Sequence, residues 1–383
     1  MTIAQKTGRI FKENFSTDPI IVRAPGRINI IGEHTDYNLG FVLPAAIDRF
    51  VYAAVALSGS EQCHLMALDL GKTHSFHIHK AERTGTWADY IIGVFRELKD
   101  KYQIDGGFNM VITGDIPAGA GLSSSAALEC SAGLALQQVY GLNLEKIDLV
   151  RTGLRAEINF VGLACGIMDQ YASVFGEQDK VLLIDCMNET HRYVDLNLGD
   201  YQLLLVNSLV THDLADSAYN ERRKECERGV EAVRREFPHV TSLREVSMDM
   251  LNRVKREMEE VIYRRAGYVI RENERVLETT DLLENNSIEE VGRILFEAHD
   301  DMRVNYEITC AETDFLVTLA RESGLISGAR QMGGGFGGCT LNLLHGKDVA
   351  AFKDYTSSRY MNKFGHEPMF IEVSTASGAS VIK

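Results

Sequence analysis

The sequence lacks any C-x-x-C pair, and its seven cysteines are odd in number and scattered along the chain. This pattern argues against a disulfide framework and a zinc site, and it is typical of reduced thiols in a cytoplasm. No apolar run reaches the length of a membrane span, and the N-terminus has no charged-then-apolar signal pattern. We therefore expect a cytoplasmic protein with no membrane partner.

Basic residues are in the minority. The chain has 40 lysines and arginines against 54 aspartates and glutamates, for a net charge of −14. This excess of negative charge disfavours nucleic acid and anionic membranes as partners, although an anionic nucleotide could still bind in a local positive pocket. The basic runs at 222–224 and 264–265 lie among glutamates on segments that look helical. We interpret both runs as solvated helix faces.

The 383 residues, 45% of them hydrophobic, leave room for two domains. Strands and hairpins come first along the chain, and the region from Asp213 to Glu322 is largely helical apart from a break at 285–286. This order predicts an α+β fold in which helices pack on a mixed sheet. A charge-dotted segment between predicted strands at 181–185 and 201–207 is the candidate domain junction.

A glycine- and serine-rich stretch runs from Gly119 to Ala127, between a predicted strand at 108–113 and a predicted helix at 128–140. Glycines let backbone N–H groups point into one concavity, and hydroxyls and a helix N-terminus add further donors. The stretch suits a polyanion such as a nucleotide phosphate, but no Gly-Lys-Ser/Thr closes it into a Walker A loop. The alternative is a turn with an N-cap from Ser124 or Ser125.

Two carboxylates fall among apolar residues. Glu157 lies on the apolar stripe of a predicted helix at 144–163, together with Ile158. A buried carboxylate needs a partner, so a cation is one interpretation, and a helix-flank side chain that bends back to water is the other. Asp169 either caps the helix that begins there or acts as a catalytic carboxylate.

A glycine run at 333–338 formally matches G-x-G-x-x-G. The segment that follows, 340–344, looks like a strand and not like the helix of a dinucleotide-binding motif. This context argues against an NAD-binding oxidoreductase. We interpret the run as a turn where the backbone approaches a ligand or another loop.

Three stretches resemble, in order and spacing, the motifs of the GHMP small-molecule kinases: Pro25 to Asn38, the Gly119–Ala127 loop, and Gly328 to Thr340. The first resembles the signature of the galactokinase family within that superfamily, as do 165–170 and the segment from His212 to Arg223. The likeness covers nearly the whole chain. It implies a GHMP kinase fold with a ribosomal protein S5 domain 2-like domain at 1–198 and a ferredoxin-like domain at 199–383.

The resemblance also implies the reaction, which is transfer of the ATP γ-phosphate to the anomeric hydroxyl of α-D-galactose, and a site between the domains. It implies that Asp169 and Arg27 are catalytic and that Ser125 and Glu157 hold Mg²⁺. The sugar-binding residues it implies are Glu33, His34, Thr35, Asp36 and Tyr219. The ATP-binding residues it implies are Gly119, Ala120, Gly121, Leu122, Ser123, Ser124, Ser125 and, near the adenine, Trp87.

Several points stay open. Trp87 could equally be a core aromatic. Leu39 stands where many family members have glycine, and Ala164 where proline is frequent, which puts fine sugar preference in question. The rival functions are another GHMP sugar kinase, acting on N-acetylgalactosamine or a pentose, and a sensor that binds galactose and ATP without turnover. A monomer is expected, with galactose and ATP as its small-molecule substrates.

Overall fold

The computed structural model describes residues 1–117, 119–210 and 215–382, so His212 and Asp213, which the sequence placed in a motif and a helix, lie outside the described residues. The first half contains α1 (Ile3–Phe15), β1 (Ile20–Asn29), β2 (Phe41–Val42), β3 (Pro44–Leu57), β4 (Gln62–Ala67), β5 (Lys72–His77), α2 (Ala88–Tyr102), β6 (Phe108–Gly114), α3 (Ser124–Tyr140), α4 (Lys146–Arg155), α5 (Met168–Phe175), β7 (Lys180–Asp185) and β8 (Thr190–Asp195). The second half contains β9 (Tyr201–Asn207), α6 (Ala215–Glu236), α7 (Met248–Arg253), α8 (Glu260–Glu284), α9 (Ile288–Asp301), α10 (Ala311–Ser323), β10 (Ile326–Gln331), β11 (Cys339–His345), α11 (Val349–Phe364), β12 (Met369–Glu372) and β13 (Ser380–Ile382).

Local signals set many of these boundaries. Thr2 and Gln5 form a capping box at the start of α1. Gly141 ends α3 in the left-handed conformation, with φ 64°, where the sequence predicted a stop. The predicted break at 285–286 is confirmed, because α8 ends at Glu284 and α9 begins at Ile288.

Three sheets organise the chain, in the strand orders β13-β1-β3-β6-β4-β5, β10-β11-β9-β12 and β2-β7-β8. β1 and β3 form a long antiparallel pair with a bulge between Pro25 and Arg27. A bulge bends its strand and re-aims the next side chains, and here it lies at the start of the first motif. β13 pairs with β1, so the last residues of the predicted second domain close the edge of the first sheet.

One hydrophobic cluster spans the two halves. It joins Ile28 and Ile30 of the first half to Leu205, Val276 and Leu341 of the second. Contiguous apolar burial of this kind holds two units in one arrangement more firmly than a polar interface would. The cleft between the halves therefore rests on packed side chains.

The helix predicted at 144–163 changes geometry part of the way along. α4 ends at Arg155 and a π-helical turn follows at Ala156–Val161. The wider turn rotates the apolar stripe, so Glu157 is 5% exposed while its neighbour Ile158 is 38% exposed. The prediction that Ile158 lies on the buried stripe is wrong for this reason. π-turns of this kind are frequent at functional sites.

The interpretation of the basic runs as solvated faces is also wrong for two of the arginines. Arg265 is 2% exposed and donates hydrogen bonds to Glu225 and Glu307. Arg222 donates to Glu225 and to the backbone oxygen of Tyr306. Both arginines pair with the buried carboxylate of Glu225, and this pairing is what makes the burial of Arg265 tolerable.

All seven cysteines are free thiols, as predicted. Nowhere in the described part of the chain does a helix combine the length and apolar composition that a bilayer crossing requires.

Candidate active site

The three motifs converge on one cleft between the halves. A cavity of about 190 Å³ lies there. Its lining comes from the first motif, from the segment before α5, from α6 and from the glycine run: Arg27, Glu33, His34, Asp36, Leu163, Cys165, Gly166, Met168, Asp169, Tyr219, Gly333, Gly334 and Gly335. Six of the seven residues predicted to be catalytic or sugar-binding line this cavity, and Thr35 is the exception.

Arg27 and Asp169 form a bidentate ion pair on one wall of the cavity. Arg27 Nε lies 2.8 Å from Oδ1 of Asp169 and Nη2 lies 3.1 Å from Oδ2. Nη1 donates to the backbone oxygen of Gly121 at 2.6 Å, which ties the pair to the phosphate-binding loop candidate. Burial opposes the charge on Arg27, but the carboxylates of Asp169 and Glu33 outweigh it and raise the pKa of the guanidinium. The guanidinium therefore keeps its charge in spite of its burial.

Asp169 does not act as a helix cap. It lies in the first turn of α5, and its carboxylate faces Arg27 and the hydroxyl of Ser123 instead of the backbone of its own helix. A carboxylate held by an arginine on one edge and a hydroxyl on another is oriented and remains partly open to the cavity. This geometry is what a catalytic carboxylate requires.

Glu33 is positioned by the second half of the chain. Arg330 at the end of β10 is 0% exposed, and its Nη2 lies 3.0 Å from Oε1 of Glu33. The N–H of Gly333 donates to the same oxygen at 2.9 Å. Because both bonds fall on Oε1, the other oxygen is the candidate acceptor for a ligand hydroxyl. Glu272 of α8 supports the loop from behind by accepting the N–H of Gly32 at 2.9 Å.

Asp36 is buried beside the cavity, where its Oδ1 accepts the N–H of Tyr37 at 2.9 Å. Burial, reinforced by the negative charge of Asp169, raises the pKa of Asp36 to about 7. Gly166 is packed against this carboxyl so closely that an added Cβ would lie 2.1 Å from Oδ2 of Asp36. Position 166 in the segment 165–170 therefore requires glycine, because any side chain would collide with Asp36.

His34 and Tyr219 form the aromatic side of the cavity, with ring centroids 4.8 Å apart. Burial lowers the pKa of His34 to about 3, so its imidazole is neutral. Thr35 differs from its neighbours, because its hydroxyl lies 2.9 Å from the backbone oxygen of Gly32 and close to that of Phe41. We expect Thr35 to shape the loop, and its contact with a sugar stays a prediction.

The glycine- and serine-rich stretch leads from β6 into α3. Gly119 and Gly121 have φ angles of 70° and 72°, which favour glycine. Ser123 is the N-cap residue of α3 with φ 58°, and its side chain makes no capping hydrogen bond. The alternative of an ordinary turn capped by Ser124 or Ser125 is therefore wrong. The helix begins at Ser124, and the hydroxyl of Ser123 just before it donates to Asp169, so the N-terminus of α3 lies next to Asp169.

The glycine run packs against this stretch. A Cβ on Gly333 would lie 3.3 Å from the oxygen of Gly121, and one on Gly338 would lie 3.6 Å from the backbone of Ala120. Four of its five glycines have positive φ, including 90° at Gly333 and 93° at Gly335. The interpretation of this run as a turn that approaches another loop is confirmed.

Ser125 and Glu157 have the chemistry of a magnesium site. Burial, reinforced by Asp169, raises the pKa of Glu157, and a hydrogen bond from Ser125 opposes that shift. The amide of Gln170 donates to Oε2 of Glu157 at 2.6 Å. Within the described residues no three His, Cys, Asp or Glu side chains are grouped to hold a metal. A cation here would need oxygens from water and phosphate, which Mg²⁺ usually keeps.

The position of Trp87 leaves its role undecided. It precedes α2 and packs, half-buried, against the hydrophobic cluster of the first half. It does not line the cavity described above.

Four residues near the site were missed from the sequence: Arg330, Glu272, Gln170 and Glu129. Glu129 had a usable signal, since it is the sole charged residue of α3. It is buried, it accepts from Gln170 at 2.9 Å, and its other oxygen lacks a hydrogen-bond partner. Arg330 and Glu272 gave no local signal, because their partners lie more than two hundred positions away in the sequence.

Leu39 departs from the family pattern, and its backbone conformation shows why glycine is frequent at this position. It follows the short turn at Asp36–Asn38 with φ 59°, in the left-handed conformation. Glycine takes this conformation without strain, which accounts for the glycine that many family members carry there. The side chain of Leu39 is largely exposed and leaves the pocket lining unchanged.

Two family models and a set of relatives match this chain. The family "GHMP kinases N terminal domain" matches residues 89–177, and the family "Galactokinase galactose-binding signature" matches residues 9–57. A galactokinase of Thermosipho africanus is 39% identical over 363 residues, which cover 94% of this chain and 99% of that protein. A galactokinase of Roseiflexus is 40% identical over 357 residues, covering 93% and 91%.

Solved structures give the same answer for the fold. The crystal structure of Lactococcus lactis galactokinase complexed with galactose superposes with a TM-score of 0.95 at 31% identity, covering 100% of both chains. A mevalonate kinase of Methanococcus jannaschii superposes with a TM-score of 0.67 at 16% identity, covering 94% of this chain and 99% of that one. The second likeness concerns the fold alone and confirms the predicted α+β class.

Proposed function

This chain belongs to the galactokinase family of the GHMP kinases, and on that premise we propose how its cleft transfers the γ-phosphate of ATP to the anomeric hydroxyl of galactose. The observation that carries the proposal is the bidentate pair of Arg27 and Asp169, which lies between the sugar-signature side chains and the phosphate-binding loop candidate. A charged carboxylate and a buried guanidinium at that junction suit a hydroxyl nucleophile and a phosphoryl group.

The sugar end of the cleft supplies acceptors. Glu33 and Asp36 offer carboxylate oxygens to the sugar hydroxyls, and Tyr219 closes the pocket with its ring. A site built from buried acceptors rejects an analogue that lacks the matching hydroxyl, because the carboxylate is then left unpaired. This reasoning supports discrimination at individual hydroxyl positions.

The phosphate end supplies donors. The triphosphate would lie along Gly119 to Ser125, where backbone amides and the N-terminus of α3 favour negative charge. We place Ser125 and Glu157 as the residues that hold Mg²⁺, and Trp87 as a contact of the adenine. Bound Mg²⁺ would neutralise charge that develops on the phosphate oxygens.

Phosphoryl transfer depends mostly on positioning and on charge neutralisation, because its transition state is loose. Arg27 stabilises the moving phosphoryl group and holds the carboxyl group of Asp169 in its orientation. Asp169 accepts the proton of the anomeric hydroxyl or orients that hydroxyl toward the phosphorus. The γ-phosphoryl group passes from ATP to the anomeric oxygen, and ADP is the leaving group. The proton of that hydroxyl passes to Asp169 or to solvent. We expect the enzyme to work as a cytoplasmic monomer.

The test is ADP release by purified protein with Mg-ATP and each of galactose, 2-deoxygalactose, glucose, N-acetylgalactosamine and arabinose. We expect the highest turnover with galactose and its loss when Mg²⁺ is chelated. Turnover only with another sugar would overturn the substrate but keep the mechanism. No turnover, with galactose and ATP still raising the melting temperature, would identify a sensor and overturn the proposal.

A further inference from the structure

Both ring nitrogens of His34 are engaged inside the protein. Nε2 lies 3.1 Å from the backbone oxygen of Gly334, and Nδ1 lies 2.7 Å from the hydroxyl of Tyr37. A carbonyl oxygen only accepts, so Nε2 carries the hydrogen and donates it. Since the imidazole is neutral, Nδ1 then carries none and must accept from Tyr37.

That single carbonyl fixes the direction of a longer hydrogen-bond chain. The hydroxyl of Tyr37 donates its one hydrogen to His34, so it must accept from the hydroxyl of Tyr306, 2.8 Å away. Tyr306 has then used its own hydrogen and accepts from Cys226, whose sulfur lies 3.2 Å away. The sequence of donors is therefore Cys226, Tyr306, Tyr37, His34 and, at the end, the oxygen of Gly334.

The hydrogen-bond chain is buried, and neighbouring groups hold it in place. Cys226 and Tyr306 are buried, and Tyr306 stacks on Tyr268 with ring centroids 4.2 Å apart. The backbone of His34 is itself held in the left-handed conformation, with φ 63°, and its oxygen accepts from Asn38 at 2.8 Å. A left-handed conformation in a residue other than glycine persists only where the surroundings impose it, and it concentrates at functional sites.

We propose that the oxygen of Gly334 and the hydroxyl of Tyr37 fix His34 as the neutral Nε2–H tautomer, with Tyr37 a positioning residue whose hydroxyl is oriented by Tyr306 and Cys226. The sugar then meets His34 through its ring carbons and not through a ring nitrogen. This inference rests on the proposed function for the identity of the sugar. His34 then determines specificity by shape, next to Tyr219, while the carboxylates of Glu33 and Asp36 supply the hydrogen bonds. It also anchors Gly334 of the glycine run.

The tautomer can be measured without any ligand. Protein labelled with ¹⁵N in its 11 histidines is examined by NMR at pH 7.5, and the His34 signals are assigned from their loss in His34→Gln. We expect the pattern of a neutral ring with hydrogen on Nε2, unchanged when galactose is added to saturation. Hydrogen on Nδ1, a charged ring, or a switch of tautomer on adding galactose would each overturn the proposal.

Two matched variants test the hydrogen-bond chain. Tyr37→Phe removes the donor to Nδ1 while the oxygen of Gly334 still accepts from Nε2, so we expect the Nε2–H tautomer to persist with a shifted ¹⁵N signal for the unpaired Nδ1. The galactose Kd should rise about tenfold by calorimetry, with kcat within about threefold of wild type. Tyr306→Phe leaves that donor in place, so the Nδ1 signal is kept and Kd stays within about threefold. A Tyr37→Phe protein whose Nδ1 signal and galactose Kd both match wild type would contradict the proposal. If Tyr37→Phe does not fold, the wild-type spectrum and Tyr306→Phe decide the question.

The two proposals fail in different ways. If wild-type protein neither binds nor phosphorylates galactose, the proposed function is wrong, and the ligand-free spectrum still tests the hydrogen-bond chain. If galactose is phosphorylated but His34 carries its hydrogen on Nδ1, the function stands and the inference about His34 is wrong.

Discussion

Lowering the pH should weaken galactose binding through Asp36. Burial first, and then the negative charge of Asp169, raises the pKa of this carboxyl to about 7. The N–H of Tyr37 holds one oxygen and opposes the shift only in part. Near neutral pH the residue is therefore close to half protonated, and a protonated carboxyl loses acceptor capacity toward sugar hydroxyls.

The size of the effect follows from the pKa. If only the carboxylate form binds, about one site in eleven is competent one pH unit below the pKa. The galactose Kd at pH 6 should then be about tenfold above its plateau near pH 8.5, a difference of about 1.4 kcal/mol. Above the pKa, the curve should be flat.

The same shift has a consequence for stability. Between the ordinary pKa of an aspartate and about 7, the folded protein binds a proton here that the unfolded chain does not. The contribution of Asp36 to the free energy of unfolding therefore falls as the pH rises through this window. The ionised form of Asp36 that accepts sugar hydroxyls is therefore the form that lowers the free energy of unfolding of the ligand-free protein.

Calorimetric titration with galactose from pH 6 to 8.5 measures the binding effect. Asp36→Asn is the control and should bind weakly with no pH dependence from this group. Asp169→Asn should move the midpoint to lower pH, because the charge that raises the pKa of Asp36 is removed. A wild-type Kd that is constant across the range, or an equal pH dependence in Asp36→Asn, would refute the reasoning.

Three further predictions concern the site. Asp169→Asn should lower kcat by about 10²-fold or more while ATP still binds by calorimetry, and near-normal turnover would exclude Asp169 from catalysis. Arg330→Met should lower the free energy of unfolding in urea by about 3–5 kcal/mol, because it leaves Glu33 buried without its partner; a loss under about 1 kcal/mol would contradict this. Gly166→Ala should raise the galactose KM about tenfold, since its Cβ displaces Asp36, with the KM for ATP unchanged. An unaltered galactose KM would show that the carboxyl has room to move.

The sequence by itself determined the features whose causes are local. The strand, loop and helix around Gly119 to Ala127 were predicted from glycines, hydroxyls and helix formers that are neighbours in the chain. The turn at 333–338 and the helix stop at Gly141 follow from the left-handed angles that glycine allows. The family motifs also named the cavity residues, because each motif is a contiguous run.

Tertiary structure alone decided how those runs face one another. Arg330 reaches Glu33 across 297 positions, and Glu272 reaches Gly32 across 240, so neither pairing has a local signature. The exposure of Ile158 depends on a π-turn that no residue period announces. The hydrogen-bond chain behind His34 likewise joins Tyr37 to Tyr306, 269 positions away. A function that depends on neighbouring residues can be predicted from the sequence. The direction of a hydrogen bond between distant residues is set only when the chain has folded.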